Sequence, residues 1–148
     1  MRIRAGQAFD ADSGSEILRR SISELCHADH EGDPDRIRNW IGNKTSETWK
    51  LWIGRKDATV YVAEKQARIL GVSMMDHVGN IMLNYVSPDD RWRGVSKALL
   101  VHMETQALGM GLQRCTLKST RTARLFYEAN GYTPSESEGQ MHKWLSPA

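Results

Sequence analysis

Two cysteines, Cys26 and Cys115, are too few and too far apart for a disulfide framework or a zinc site. Lone thiols of this kind suit a reducing compartment. No apolar run approaches the roughly 18 residues that a membrane-spanning helix needs. The opening segment, Met1-Arg2-Ile3-Arg4-Ala5-Gly6, alternates charged and apolar residues where a signal peptide would carry an apolar core. Charge of one sign is also missing: 20 Lys and Arg stand against 18 Asp and Glu, a net charge of +2. Apart from Arg91, Arg93 and Lys97 the basic residues are scattered, so no nucleic-acid footprint is visible. Internal repeats, low-complexity tracts and interdomain linkers are absent too. The expectation is a soluble, cytoplasmic protein with neither a membrane nor a nucleic acid as partner. Its 148 residues make one domain, 1–148, with a continuous core, and five tryptophans argue against disorder.

What is present reads as alternating helices and strands. Ile3 to Phe9 predicts a first strand, with Asp10 or Asp12 placed to cap the helix that follows. Ile17, Leu18, Ile22, Leu25 and Cys26 recur at helical spacing to about His27. His27 to Asp33 reads as a polar loop, and its metal-capable side chains lack a further identifiable ligand, so no metal site is expected. Pro34 starts a second helix, with Ile37, Trp40 and Ile41 on one face and Gly42 closing it. Ser46 and Glu47 open a third, bearing Trp49, Trp52 and Ile53.

After residue 57 the apolar period changes from helical to two. Thr59–Ala63 and Ile69–Met74 flank a hairpin turn at Lys65–Arg68, and His77-Val78-Gly79 turns into a strand over 80–86. A long helix runs from about Gly94 to Leu108. A buried strand over Gln113–Lys118, a helix over Thr120–Asn130 and a last strand over Gln140–Leu145 complete the chain. The class is α+β: a mixed, largely antiparallel sheet flanked by helices.

The densest chemistry lies at the junction between the 80–86 strand and the long helix. Ser87-Pro88-Asp89-Asp90 is a turn, and Arg91-Trp92-Arg93-Gly94-Val95-Ser96-Lys97 leads into the helix. Backbone N–H groups, a helix dipole and cationic side chains converge there, which is an arrangement for binding an anion such as a phosphate-bearing cofactor. Further on, Ala123-Arg124-Leu125-Phe126-Tyr127-Glu128-Ala129-Asn130-Gly131-Tyr132 is a helix that ends in glycine and feeds a strand.

Together these two motifs resemble the GNAT superfamily of acyl-CoA-dependent N-acyltransferases. Its cofactor loop reads Arg/Gln-x-x-Gly-x-Gly/Ala, and its later helix commonly reads Ala-x-x-Phe-Tyr-x-x-x-Gly-Phe/Tyr. The expected strand order suits that fold along nearly the whole chain. Three positions depart from the pattern. Trp92 stands where a second glycine is common, Ser96 replaces a smaller residue, and Thr120 lies where Asn is frequent.

The resemblance implies acetyl-CoA as co-substrate and no metal. Its pyrophosphate would lie against the N–H groups of Arg93, Gly94, Val95, Ser96 and Lys97, with Arg91 and Lys97 adding charge. The pantetheine arm would pair with the backbone of Tyr85 and Val86, and the Val86 N–H would polarise the thioester carbonyl. Tyr127 would donate to the departing thiolate as the catalytic residue. The general base stays unassigned among Asp76, His77 and a water held by Asn84. The implied activity is N-acetylation of a primary amine by direct attack in a ternary complex. The alternative is a non-catalytic acyl-CoA-binding or sensor module on the same fold, and a third is a structural interaction domain. The acceptor, a small molecule or a peptide amine, is left open. Exposed tryptophans and edge strands leave a homodimer open as well.

Overall fold

The computed structural model describes residues 1–146. Strand β1 (Arg2–Ala5) pairs antiparallel with β2 (Ala58–Lys65), β2 with β3 (Arg68–Asp76), and β3 with β4 (Asn80–Val86). The next strand, β5 (Arg114–Lys118), runs parallel to β4. Strands β6 (Thr133–Pro134) and β7 (Gln140–Trp144) complete one sheet of order β1-β2-β3-β4-β5-β7-β6. The α+β class and the largely antiparallel sheet flanked by helices are thus as the sequence indicates.

Helices α1 (Ala11–Leu25), α2 (His27–His30), α3 (Pro34–Ile41) and α4 (Ser46–Ile53) precede β2. Helix α5 (Val95–Gly109) links β4 to β5, and α6 (Arg124–Ala129) links β5 to β6. The strand period of two divides the core between the two faces. Val72 and Met74 of β3 pack with Leu18 of α1 and the fully buried Trp49 of α4. Met75 of the same strand packs with Val95, Leu99 and Met103 of α5 and with Tyr127 of α6. Gly71 lets α5 approach β3, because a Cβ there would lie 2.7 Å from Val95 Cγ1 and 3.0 Å from the Tyr85 carbonyl oxygen. No helix among the described residues is long and apolar enough to cross a membrane.

Four local readings need correction. The first strand ends at Ala5, not Phe9. The buried Asp10 carboxylate pairs with Arg4 at 2.8 Å and accepts the Gln7 N–H at 2.8 Å, folding 8–10 into a 3-10 turn that leaves Phe9 exposed. Residues 27–30 form a short helix, not a loop. His30 is buried there, its Nδ1 accepting the Gly32 N–H at 3.0 Å, so its Nε2–H donates to the Ile22 carbonyl at 2.8 Å. Helix α6 begins at Arg124, because Asp29 fastens the preceding turn by accepting from the N–H groups of Arg121 at 2.8 Å and Thr122 at 3.1 Å. The two-residue β6 has no counterpart in the sequence reading, being too short to show a period.

Candidate functional site

Strands β4 and β5 pair at only two positions, Asn80 with Thr116 and Ile81 with Leu117, although β4 continues to Val86. A register shift at Met74/Met75 on the β3 side accompanies the parting. Beyond it the strands splay. Ser87 donates its N–H to the Leu70 carbonyl at 2.8 Å. By the alternation of an antiparallel pair, Leu83 and Tyr85 turn their N–H and C=O groups toward β3 in the same way. Asn84 and Val86 therefore present theirs to the gap. A cleft of about 750 Å³ fills the splay, within the usual range for a small-molecule site. Its walls carry Asn84, Tyr85 and Val86 on β4, Leu117 on β5, and Phe126 and Tyr127 on α6.

At one end the cleft meets the start of α5. Gly94 adopts φ +78°, a left-handed turn that suits glycine, and directs the chain into the helix. The first carbonyl used in the helix is that of Gly94, taken by the Ala98 N–H at 3.0 Å. The N–H groups of Val95, Ser96 and Lys97 lie ahead of it with no partner among the described residues. Arg91, Gly94, Val95, Ser96 and Lys97 all line the cleft. Arg93 does not: its side chain is exposed, with its guanidinium 3.8 Å from Asp90. Asp90 is the sole carboxylate among the described lining residues, and Arg68 holds it by two hydrogen bonds of 2.7 and 2.8 Å. The Arg68 guanidinium keeps the Asp90 carboxyl below the usual carboxylate range. Its charge is therefore largely offset, and an anion in the loop meets net positive potential.

Tyr127 sits at the base of the cleft, only 6% exposed. Phe126 and Tyr132 pack edge-on against its ring at 5.2 and 5.6 Å. Burial pushes its hydroxyl up to about 12, while the neighbouring Asn84 side chain works the other way. Asn84 in turn donates from Nδ2 to the Ser96 carbonyl at 3.3 Å, and its buried Oδ1 has no hydrogen-bond partner among the described residues. One side chain thus links the β4 edge, the start of α5 and Tyr127. The Tyr85 side chain lies on the opposite face of the sheet, packed with the α1 and α4 cluster. Burial raises its hydroxyl well above the ordinary value. Cys26, at the end of α1, also lines the cleft, its thiol pushed up to about 11 by burial and by the Asp29 charge.

Of the residues considered as general base, two lie elsewhere. Asp76 caps the β3–β4 turn, accepting from Val78 and Asn80 N–H groups at 3.0 and 2.9 Å. His77 Nε2 lies 3.2 Å from Thr59 Oγ1, and neither residue lines the cleft. Asn84 does. The far wall is built from Ser21 and Leu25 of α1, Thr122 in the turn before α6 and Leu125 of α6, none of them singled out as a site residue by the sequence reading. Asp29 holds Thr122 in place through a long-range contact that no local pattern announces.

Comparison with known proteins agrees with this architecture. Residues 28–145 match the family model described as an acetyltransferase (GNAT) domain. A PaiA N-acetyltransferase from Thermoplasma acidophilum, solved in complex with coenzyme A, superposes with a TM-score of 0.84 at 20% identity, covering 97% of this chain and 98% of its own. A GCN5-related N-acetyltransferase from Rhodopseudomonas palustris gives 0.85 at 21% identity, covering 97% and 95%. An aminoglycoside 6'-N-acetyltransferase complexed with coenzyme A gives 0.69 at 13% identity, covering 100% and 99%. At these identities the likenesses show a shared fold. No curated protein sequence matches the chain.

Proposed function

The chain belongs to the GNAT acetyltransferase family, and from that premise we propose that it transfers the acetyl group of acetyl-CoA to a primary amine by direct attack in a ternary complex. The observation that carries this reading is the splay between β4 and β5, with orphaned helix N–H groups at one end and a buried tyrosine at its base. The residues present fit the cofactor. The N–H groups of Val95, Ser96 and Lys97, with the Arg91 and Lys97 charges, suit a pyrophosphate. The cleft-facing N–H and C=O of Val86 suit an amide of the pantetheine arm, which would lie along β4 as an added strand.

Acetyl-CoA supplies an activated thioester carbonyl; this chain's own groups do the rest. The Asn84 N–H, two residues deeper than Val86 and beside Tyr127, is the better placed donor to that carbonyl oxygen as charge develops on it. In this proposal Asn84 takes the role that the sequence resemblance gives to Val86. Tyr127 donates its hydroxyl proton in a hydrogen bond to the leaving sulfur. With its hydroxyl near 12, full proton transfer to a thiolate of pKa about 8.5 is uphill by about 5 kcal/mol, so Tyr127 stabilises charge and does not act as an acid. Asn84 sets the direction of that hydroxyl. No described lining group is a free base near neutrality, so the attacking amine enters neutral or loses its proton to water.

The chemistry of the far wall bears on the acceptor. Ser21, Leu25, Cys26, Thr122 and Leu125 offer apolar and neutral polar surface, and Asp90 is taken by Arg68. A polycationic amine finds no counter-charge there. A single amine on a largely apolar frame fits better. The test is thiol release from acetyl-CoA across a panel of monoamines, amino acid derivatives, polyamines and aminoglycosides. Turnover with a monoamine as the preferred acceptor supports the reading. The lack of a base in the cleft favours one rival, a non-catalytic acyl-CoA sensor. Tight coenzyme A binding with no thiol release from any amine would decide for it.

A further inference from the structure

Trp92 is the least economical residue of the loop. Its side chain is 88% exposed, and its backbone adopts φ +66°, a left-handed conformation that disfavours any residue with a Cβ. Two costs fall on one position, and no packing among the described residues offsets them. Among the described residues the one aromatic or cationic contact of the indole is with Arg91, whose guanidinium carbon lies 4.5 Å from the ring centroid. Arg91 covers one face of the indole. The other face is open, and the residue lines the cleft rim two positions before Gly94.

We propose that Trp92 is a stacking platform for the adenine base of coenzyme A, completed on its far face by Arg91. The inference rests on the reading of the cleft as an acetyl-CoA site. If the Val95–Lys97 N–H groups hold the pyrophosphate, the nucleoside end of the ligand leaves the cleft over residues 91–93. An exposed indole, fixed by its strained backbone and backed by a guanidinium, presents a flat π surface to the base at that place. A nucleobase offers a matching face, and the Arg91 charge polarises the stack. Trp92 differs from the other exposed positive-φ residues, Glu31, Gln66 and Ala67, in lining the cleft, where backbone strain is consistent with a functional contact. The arrangement also separates two duties within the loop. Gly94 and the helix start take the phosphates and Trp92 takes the base, with the Arg91 charge between the two.

The test compares two ligands on three proteins by calorimetry: coenzyme A and 4'-phosphopantetheine, the latter lacking the adenosine end. For Trp92→Gly, which also removes the backbone strain, coenzyme A affinity should fall about tenfold, in the range for one lost base–aromatic stack. Phosphopantetheine affinity should stay unchanged, and the Tm should equal or exceed that of the wild type. Trp92→Phe should retain part of the affinity, and the quenching of tryptophan emission by coenzyme A should shrink in both variants. Equal coenzyme A affinity in wild type and Trp92→Gly would overturn the proposal. So would a parallel loss for both ligands, which would mark Trp92 as a loop-folding residue. Failure of the wild type to bind coenzyme A would instead refute the reading of the cleft, and this inference with it.

Discussion

Replacing Tyr127 by Phe removes one hydroxyl and leaves a ring of the same shape. The ring is held edge-on between Phe126 and Tyr132, so the packing survives, and the hydroxyl has the Asn84 side chain beside it. The Tm should change by no more than about 1 °C. The chemical step should suffer more. A hydrogen bond to a charged partner is worth about 1.5–3 kcal/mol, which corresponds to a fall in kcat of about 10- to 100-fold. The KM for acetyl-CoA should move less than about twofold, since the loop and the β4 edge are untouched. Because burial pushes Tyr127 up to about 12, the hydroxyl stays protonated across the working range. The alkaline limb of kcat should therefore show no Tyr127 titration below about pH 11, and wild type and variant should share its shape. The assay is thiol release with the best amine of the panel, in the steady state and in a single turnover. A single-turnover rate within about twofold of wild type would refute the assigned role. Loss of acetyl-CoA affinity at unchanged kcat would show that the hydroxyl serves binding and not the chemical step.

Asp90 is held below the usual carboxylate range in the fold, so the unfolded chain binds the extra proton first as the solution is acidified. Its stabilisation is complete above about pH 4 and fades as the pH falls through the lower folded value. Asp90→Asn should lower the Tm at pH 7 by about 4–8 °C, from roughly 2 kcal/mol, and the gap to wild type should close below pH 4. A constant gap from pH 7 to pH 3 would contradict this. Gly71→Ala forces a Cβ into Val95 and the Tyr85 carbonyl, and should cost about 2 kcal/mol, or about 4–8 °C in melting temperature. Because it displaces the start of α5, titration should also show weaker coenzyme A binding. With its thiol pushed up to about 11, Cys26 is almost wholly protonated at neutral pH and a poor nucleophile. Cys26→Ala should keep kcat within about threefold, and intact-mass spectrometry of wild type with acetyl-CoA should show no acyl-enzyme.

The strands that build the site were legible because their signal is local. The period of two over β2, β3 and β4, and the run of apolar residues in α5, can be read from the residues alone. The β2–β3 turn shows where locality ends. Gln66 and Ala67 both take positive φ, at 52° and 62°, without a glycine to announce it. The end of β1 depends on Arg4 reaching Asp10, and the start of α6 depends on Asp29, 92 residues before Arg121. Such contacts leave no periodic trace. Of the loop motif, Arg91, Gly94, Val95, Ser96 and Lys97 line the cleft, whereas the Arg93 side chain is exposed with its guanidinium 3.8 Å from Asp90. Asn84 was named in the sequence only as a residue able to hold a water. Its place between Ser96 and Tyr127 follows from the splay, which is a property of the sheet and not of the segment.

The central claim is that the cleft between β4 and β5 takes an acyl-CoA with its phosphates at the start of α5. The most direct measurement is a calorimetric titration with acetyl-CoA, free coenzyme A and AMP. The account predicts saturable binding of one ligand per chain for both coenzyme A species, with AMP much weaker because it lacks the pantetheine arm that pairs along β4. No saturable heat with either coenzyme A species, or equal affinity for AMP, would contradict it.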